Sequence, residues 1–523
     1  MNDFIRKYEQ DLNGTLSGFD RLVFLGTLWR NRLSGLKGYL WSHGMGAKDF
    51  GAHAEKISKR VKAAAVAEFE AAGRPVLYLN SGRDDKQKIA LEIAAQDGIR
   101  QGPICALSAV ELCSTYRVGR GAAGPELQIA PRKCLFLYQY WMHPVFGFMS
   151  VRLQSWFPFP IHIYMNGRQW LTRQMDAAGL RYDRQGNCFP WIEDLKRAQH
   201  LMDGQRRVHW AELFDQMAAR IHPLLFSELA QDYPMRYYWT CAESEWATDF
   251  VFRDPAQLRR MVPLLMRLGV ISLSSTDILR FMGKKVTPQG EPFGGFWLPN
   301  NSDLKVRTVG ARIKHRLGPN SIKLYDKAYT DQGAVLRAEV TISVPRFFKI
   351  LRRTDDPQSR PALRPMRQSI ADLDARARTS QAILDRYTHA LAAIDDSTTL
   401  EELTARIERR VRWKGRCIRA IHPFEPDDRA LLSAVNRGEF TIAGFRNQDL
   451  QSLLYQSQPK NLVEKKRRSA AISRKLRMLR AHGLIRKRPR SHRYDVTKPG
   501  RKIIEAILLA QKITVNKLLP LAA

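Results

Sequence analysis

Apolar and polar residues alternate in three segments near the middle of the chain, residues 309–316, 321–327 and 335–343. The turn sequences Leu-Gly-Pro-Asn and Ala-Tyr-Thr-Asp-Gln-Gly-Ala separate them. A period of two is typical of a strand with one buried face, so we expect a three-stranded meander. Its predicted buried side chains are Val309, Ala311, Ile313, Ile322, Leu324, Leu336, Ala338, Val340 and Ile342.

Helical spacing alternates with short apolar runs in the first part of the chain. Residues 52–71 and 84–96 have a helical period, whereas 76–79 and 104–112 are compact apolar runs. This order predicts a strand-helix-strand unit.

Helical segments are then expected from residue 167 through residue 268. Within them, Glu243, Glu245 and Asp249 would share one helix face. Such acids can bind a metal, although acids on helices are more often solvated or paired.

The C-terminal part predicts a compact helical unit with a hairpin. Helices are expected at 427–437, 448–455 and 469–482, followed by a hairpin of 484–488 with 493–497 and a helix at 501–512. In the third helix the residues expected inside are Ile472, Leu476 and Leu479, and those expected outside are Ser473, Arg474, Arg477 and Arg480.

The net charge of the chain limits the kinds of partner that it is expected to bind. The 523 residues include 85 lysines and arginines against 51 aspartates and glutamates, a formal charge of +34. Such an excess favours a polyanion. No apolar run is long enough to cross a bilayer, and the first residues lack a signal-peptide core. We therefore expect a cytoplasmic, nucleoid-associated protein that binds no membrane.

Aromatic residues are concentrated between residues 132 and 170, with arginines interleaved. Exposed aromatic rings flanked by cations can stack nucleic-acid bases, and Tyr138, Tyr140 and Trp156 are the candidates for this role. The alternative is that these rings fill a core, as aromatic clusters more often do.

The polar face of the predicted meander carries candidate chemistry. Tyr325 is a candidate nucleophile, with Lys323 and Lys327 to stabilise its phenolate and Glu339, with Asp326 or Asp303, to hold Mg²⁺ or Mn²⁺. The alternative is a solvated, phosphate-contacting face on which Glu339 only pairs with a cation. The cations expected to contact nucleic acid here are Arg312, Lys314, Arg316 and Arg337.

Two short elements on this face resemble a known family. Lys-Leu-Tyr-Asp-Lys at 323–327 and Leu-Arg-Ala-Glu-Val at 336–340 look like motifs of replication initiators of rolling-circle plasmids and filamentous phages. The resemblance implies metal-dependent nicking of one DNA strand by a tyrosine. Many of those initiators carry a motif with two paired histidines. In this chain the corresponding segment, Ile-His-Ile-Tyr, contains one histidine, His162. The whole chain is similar to bacterial proteins without an assigned activity.

The C-terminal order of helices and hairpin resembles the winged-helix domains of regulators such as the MarR family. The resemblance implies that the third helix enters the major groove and that the hairpin is the wing. Residues 461–502 contain 16 lysines and arginines against two acids, which favours salt-sensitive DNA binding over docking of a protein. The wing residues expected to contact DNA are Lys487, Arg488, Arg490, His492 and Arg493.

Together these patterns predict a multidomain α+β protein with a mixed, sheet-containing body and a C-terminal winged helix. The expected domains are a mixed α/β domain at 1–130, a central α+β domain at 131–353, a linker and helical connector at 354–419, and the winged helix at 420–523. We expect DNA binding in replication initiation or DNA mobilisation, with metal-dependent nicking. The alternatives are a non-enzymatic DNA-binding regulator and a protein that binds structured RNA.

Overall fold

The computed structural model describes residues 1–28, 32–122, 124–271, 273, 275–284, 300–307, 310–354, 358–393, 400–437, 440, 444–455, 457–489 and 491–511. The strands are β1 (Leu12–Thr27), β2 (Val76–Tyr78), β3 (Gly102–Gly121), β4 (Gly124–His143), β5 (Gly147–Gln154), β6 (Ile161–Asn166), β7 (Tyr182–Gln185), β8 (Cys188–Ile192), β9 (Tyr238–Phe252), β10 (Asn300–Val306), β11 (Ala311–Leu317), β12 (Asn320–Thr330), β13 (Gly333–Ile342), β14 (Lys349–Arg352), β15 (Ala362–Pro365), β16 (Val411–Trp413), β17 (Arg416–Ile418), β18 (Ile485–Lys487) and β19 (Tyr494–Val496).

The helices are α1 (Asn2–Lys7), α2 (Arg32–Ser42), α3 (Phe50–Ala71), α4 (Lys86–Gln96), α5 (Gly167–Ala177), α6 (Leu195–Asp203), α7 (Trp210–Ile221), α8 (Ala230–Asp232), α9 (Pro255–Ile271), α10 (Ser275–Phe281), α11 (Leu373–Ala393), α12 (Leu400–Thr404), α13 (Pro426–Val435), α14 (Asn447–Leu454), α15 (Leu462–Ala481) and α16 (Lys498–Ala510). A π-helical turn, Leu225–Leu229, precedes α8. No helix in these described ranges combines the length and the apolar composition needed to cross a bilayer.

An eleven-stranded sheet organises the body, in the order β10-β11-β12-β13-β9-β1-β6-β5-β4-β3-β2. Neighbouring strands are antiparallel except for the parallel pair of β2 and β3, which α4 connects. The predicted strand-helix-strand unit and the α+β class are therefore confirmed. The predicted boundary between residues 130 and 131 lies inside β4, which pairs with β3 along its length, so the first two predicted domains share one sheet.

The predicted meander is present as β11, β12 and β13, and its apolar face is buried as expected. Val309 lies outside the described residues. Helices α9 and α11 pack near this part of the sheet, where a Cβ on Gly269 of α9 would contact the Ile313 side chain. The opposite face is polar, as predicted, but much of it is covered, because β8 packs against β12 and β13.

The expected helix carrying Glu243, Glu245 and Asp249 is a strand. These residues belong to β9, which pairs with β1 on one side and β13 on the other. The segment around them is rich in aromatic and apolar residues, and pairing on both edges decides its conformation over any local helical pattern. Glu243, Glu245 and Asp249 are spaced by even numbers, so they share a sheet face instead of a helix face.

The C-terminal part has a hydrophobic cluster of its own, separate from the cluster of the body. It joins α13, α14, α15 and α16, and its members include Ile472, Leu476 and Leu479, as the pattern predicted. Helix α15 begins earlier than predicted, because the Asn461 side chain caps it by accepting a hydrogen bond from the Glu464 amide at 2.8 Å. By contrast α11, predicted as part of a connector, belongs to the core of the body.

Candidate functional site

Tyr325 and Glu339 meet on the covered polar face of the sheet. The Tyr325 hydroxyl donates a hydrogen bond to Glu339 Oε2 at 2.7 Å. Strand register explains the meeting, because Lys323 lies opposite Glu339 and Tyr325 lies two residues further along β12 on the same face. Lys323 forms an ion pair with Glu339 and also donates to Glu245 Oε1 at 3.0 Å. The Tyr325 hydroxyl, the Glu339 carboxylate and the Lys323 ammonium are thus in direct contact.

Two further carboxylates complete a group that the sequence did not predict. Asp20, Glu245 and Glu339 are all buried, and one oxygen of each lies within 4.8 Å of the others. They come from β1, β9 and β13. The pairing of β1 with β9 shifts register between Phe19 and Arg21, which leaves Asp20 at the irregularity. Such bulges re-aim side chains and occur next to functional sites. We call Asp20, Glu245 and Glu339 the carboxylate triad.

The surrounding charges hold Glu339 of the carboxylate triad and its neighbour Tyr325 in opposite protonation states. Burial raises the pKa of Tyr325 well above its ordinary value, and the charge of Glu339 adds to this effect. Burial also disfavours ionised Glu339, but the Lys323 ammonium and the hydrogen bonds from Lys323 and Tyr325 outweigh it and lower the pKa of Glu339. Glu339 is therefore an ionised acceptor and Tyr325 a protonated donor. Burial and the charge of Glu339 raise the pKa of Glu245.

Arg337 is placed differently from the expectation that it contacts nucleic acid. Its side chain is 0% exposed and binds Asp249 through two hydrogen bonds, while Nη1 donates to Asp20 Oδ1 at 3.0 Å. Arg168, also fully buried, lies 3.2 Å from the same Asp249 carboxylate. Because the bulge of β1 and the pairing of β9 supply carboxylates here, Arg337 is engaged inside the protein instead of facing a phosphate.

The other predicted metal ligands lie apart from the carboxylate triad. Asp326 accepts a hydrogen bond from the Tyr329 hydroxyl at 2.7 Å, and burial raises its pKa. Asp303 lies on β10 opposite Lys314. Of the three predicted ligands, Glu339 belongs to the triad. Lys327 is half-buried, with its ammonium 5.7 Å from the centre of the Tyr325 ring.

A row of cations runs from the triad toward the sheet edge. Arg312 lies opposite Tyr325, and Lys314 lies opposite Lys323. Burial lowers the pKa of Lys314, and the positive charges of Lys323, Arg316 and Arg312 lower it further. Arg312 and Lys314 are half-buried, whereas Arg316 is exposed. Asp303, opposite Lys314 on β10, offsets part of this repulsion.

The candidate stacking residues are largely interior. Tyr140 and Trp156 are buried, and the Arg132 guanidinium lies 3.9 Å from the centre of the Trp156 ring. Tyr138 is half-buried and donates to Glu111 Oε1 at 2.5 Å. The surrounding aromatic residues belong mostly to hydrophobic clusters, which is the core-filling alternative. The buried rings of Tyr140 and Trp156 do not fit base stacking.

The basic side of α15 is exposed where the sequence predicted it. Ser473, Arg474 and Arg477 project outward, and Ser473 Oγ also bonds the Asn447 side-chain amide at 2.9 Å. The half-buried Arg480 has its guanidinium 5.1 Å from the centre of the Trp413 ring.

On the hairpin, Lys487 and His492 are exposed. Arg488 pairs with Asp495 at 2.8 Å, and Arg493 Nη1 donates to the Gly444 carbonyl at 3.1 Å. Arg490 lies outside the described residues.

Comparison with known proteins supplies no family for this chain. No family model and no curated protein matches it. Among solved structures, the di-domain ARO/CYC BexL from the BE-7585A biosynthetic pathway is 8% identical, with 56% of this chain and 99% of that chain covered. Its TM-score of 0.15 is too low for the likeness to support an argument about fold or function.

Proposed function

We propose that this chain is a DNA-binding protein whose C-terminal module, the described residues of 400–511, places α15 in the major groove of a duplex. The exposed cationic side of α15 carries this proposal. Arg474 and Arg477 project into solvent, while Ile472 and Leu476 anchor the opposite side of the helix in a hydrophobic core. A helix held in this way presents its arginines as a rigid unit, and arginine on a groove-bound helix can bind guanine edges bidentately.

The β18-β19 hairpin adds a second basic element beside the helix. Arg486 and Lys487 are exposed on its first strand, and it follows α15 directly in the chain. In a winged helix, the fold that this segment resembles, a hairpin in this position lies along the DNA backbone. Contacts of this kind fix the register of the protein on the duplex and release counterions, so they contribute affinity that falls with salt.

The test compares two double variants that remove the same charge. The full-length chain is titrated by fluorescence anisotropy, between 50 and 200 mM salt, against duplexes selected by the wild type from a random-sequence library. Arg474→Gln with Arg477→Gln should weaken binding to the selected duplexes by about 1–3 kcal/mol for each lost base contact. Lys465→Gln with Lys466→Gln, at the start of the exposed face, should mainly make the binding affinity fall less steeply as the salt concentration rises.

Absence of duplex binding at low salt, or equal discrimination between sequences by the two double variants, would contradict the proposal. Tighter binding to structured RNA than to duplex DNA of equal length would indicate that the partner is RNA.

Strand nicking at Tyr325 is a second candidate function. The observation that favours it is the hydrogen bond from Tyr325 to ionised Glu339 inside the carboxylate triad. Carboxylate oxygens are the ligands that Mg²⁺ and Mn²⁺ prefer, so Asp20, Glu245 and Glu339 would hold such an ion with Lys323 displaced. The bound metal would supply charge stabilisation for a transferring phosphoryl group.

The chain's own residues would move the protons. Glu339 accepts the proton of Tyr325, whose oxygen then forms a bond to phosphorus as the bond from phosphorus to the strand's 3′ oxygen breaks. Lys323, released from its carboxylates, protonates that oxygen. Arg307 and Lys327 lie over the Tyr325 ring at 5.0 and 5.7 Å, so their side chains must shift to admit the strand.

A covalent adduct tests this candidate. The protein is incubated with supercoiled and single-stranded DNA plus Mg²⁺ or Mn²⁺, and nicks and protein-DNA adducts are separated on denaturing gels. Tyr325→Phe should abolish the adduct while leaving DNA affinity unchanged, because it removes the attacking oxygen. Tyr329→Phe, on the same strand, is the matched control and should still form it. If the wild-type protein binds DNA but never cuts it, the result contradicts nicking and favours the non-enzymatic regulator.

A further inference from the structure

A cavity of about 200 Å³ opens within the C-terminal module, apart from the exposed side of α15. Its lining comes from the end of α13 and the residues just after it, from the β18-β19 hairpin and from the first turn of α16. Among the described residues, its charged groups are four arginines and one aspartate: Arg437, Arg486, Arg488, Arg501 and Asp495.

Asp495, the one carboxylate among the described lining residues, is already neutralised. Arg488 donates from Nε to both Asp495 oxygens at 2.9 Å, and its Nη2 lies 2.8 Å from Oδ1. Arg486, opposite Asp495 in the hairpin, is exposed, and Arg501 is half-buried. Arg486 and Arg501 therefore bring positive charge that Asp495 does not offset into a concave space, where field lines concentrate and an anion gains more than it would on a flat surface.

We propose that this cavity binds an oxyanion of the phosphate class. Guanidinium groups present paired N–H donors that match the oxygens of a phosphate, and several of them around one concavity form a specific site. The volume limits the ligand. At roughly 30 Å³ per water it holds about six waters, and it is smaller than the ~300–1,000 Å³ of drug-sized pockets. A single phosphate group fits these dimensions.

Two sources can present the same group. One is a backbone phosphate of DNA bound to the module, a source that rests on the proposed DNA-binding function. The other is a free phosphate-bearing small molecule, for which the cavity would act independently of DNA. The site itself depends on neither source, because its lining is defined by the fold of the module.

The experiment measures inorganic phosphate binding to the full-length chain without DNA. Isothermal titration calorimetry and thermal melting are run with phosphate replacing chloride at constant ionic strength, since a ligand of the folded state raises its melting temperature. The wild type should bind phosphate and melt higher. Arg486→Gln with Arg501→Gln should weaken this binding at least tenfold. Arg474→Gln with Arg477→Gln removes two arginines from α15 and should leave it unchanged.

No phosphate binding by the wild type, or equal loss in both double variants, would overturn the site. If circular dichroism shows that the first double variant is unfolded, Arg486→Gln alone, at an exposed position, must reduce phosphate affinity at least threefold. If it does not, the site is excluded.

A competition titration then assigns the source. If phosphate weakens duplex binding beyond the chloride control, the cavity takes a backbone phosphate. If phosphate-saturated protein binds duplex with unchanged affinity, the cavity serves a free ligand. Both results retain the site, and because phosphate binding is measured without DNA, failure of the DNA-binding proposal remains a separate outcome.

Discussion

Arg337 joins strands that are distant in sequence. Its guanidinium bonds Asp249 on β9 and Asp20 on β1, and Nη2 donates to the Asn187 carbonyl at 2.7 Å. All of its charge is satisfied inside the protein. A buried ion pair costs desolvation energy when it forms, but removing one partner leaves the other charge buried and uncompensated.

We therefore expect Arg337→Gln to lower the free energy of unfolding by about 3–5 kcal/mol. Arg60→Gln is the control, because Arg60 pairs with Glu228 where both side chains are more than 40% exposed, and solvent screening limits its cost to below about 1 kcal/mol. Urea denaturation measures both variants. Equal midpoints would show that the Arg337 cluster does not stabilise the sheet.

At the scale of elements, helix α5 packs its first turn directly onto β1. The Gln205 side chain bridges the two elements. Its Oε1 accepts a hydrogen bond from the Phe19 amide at 3.1 Å, and its Nε2 donates one to the Gly167 carbonyl at 2.9 Å. A Cβ on Gly167 would stand 1.8 Å from the Phe19 carbonyl oxygen. The approach of α5 to β1 thus requires glycine at this position, close to the bulge that presents Asp20.

Gly167→Ala should destabilise the protein by at least about 2 kcal/mol, because backbone must move on one side of the contact. Gly51→Ala in α3 is the contrast. A Cβ there meets no atom within 4 Å, so alanine should be neutral or stabilising by up to about 1 kcal/mol through its helix propensity. Thermal melting distinguishes the two, and a stable Gly167→Ala protein would contradict the close packing.

At the scale of the whole molecule, the body and the C-terminal module have separate hydrophobic clusters. Leu336 is buried in the first and Leu476 in the second. Separate cores favour unfolding in more than one step, so that each part is expected to have a melting transition of its own.

Leu476→Ala should lower the free energy of unfolding of the C-terminal module by about 2–5 kcal/mol and leave that of the body unchanged. Leu336→Ala should destabilise the body by a similar amount and leave the C-terminal module unchanged. Hydrogen exchange measured by mass spectrometry assigns the loss of protection to peptides of each part. Uniform loss across the chain in both variants would mean that the two clusters unfold as one unit.

The local pattern was sufficient for the elements that carry their own signal. Alternation predicted β11, β12 and β13, and helical spacing predicted α4 and the buried side of α15. It was also sufficient to place Lys323 and Tyr325 on one face with Glu339 nearby, because the period of a strand and the pairing of neighbours in a hairpin depend on adjacent residues.

Partners from distant strands depended on the tertiary structure. Asp20 precedes Arg337 by more than 300 residues and reaches the site through a bulge that has no local signature, and β9 is a strand because two others pair with it. Burial followed from the same assembly, since β8 covers a face that alternation alone would leave in water. Local sequence determines which side a residue occupies, whereas the free energy of a charge on that side depends on groups brought there only by folding.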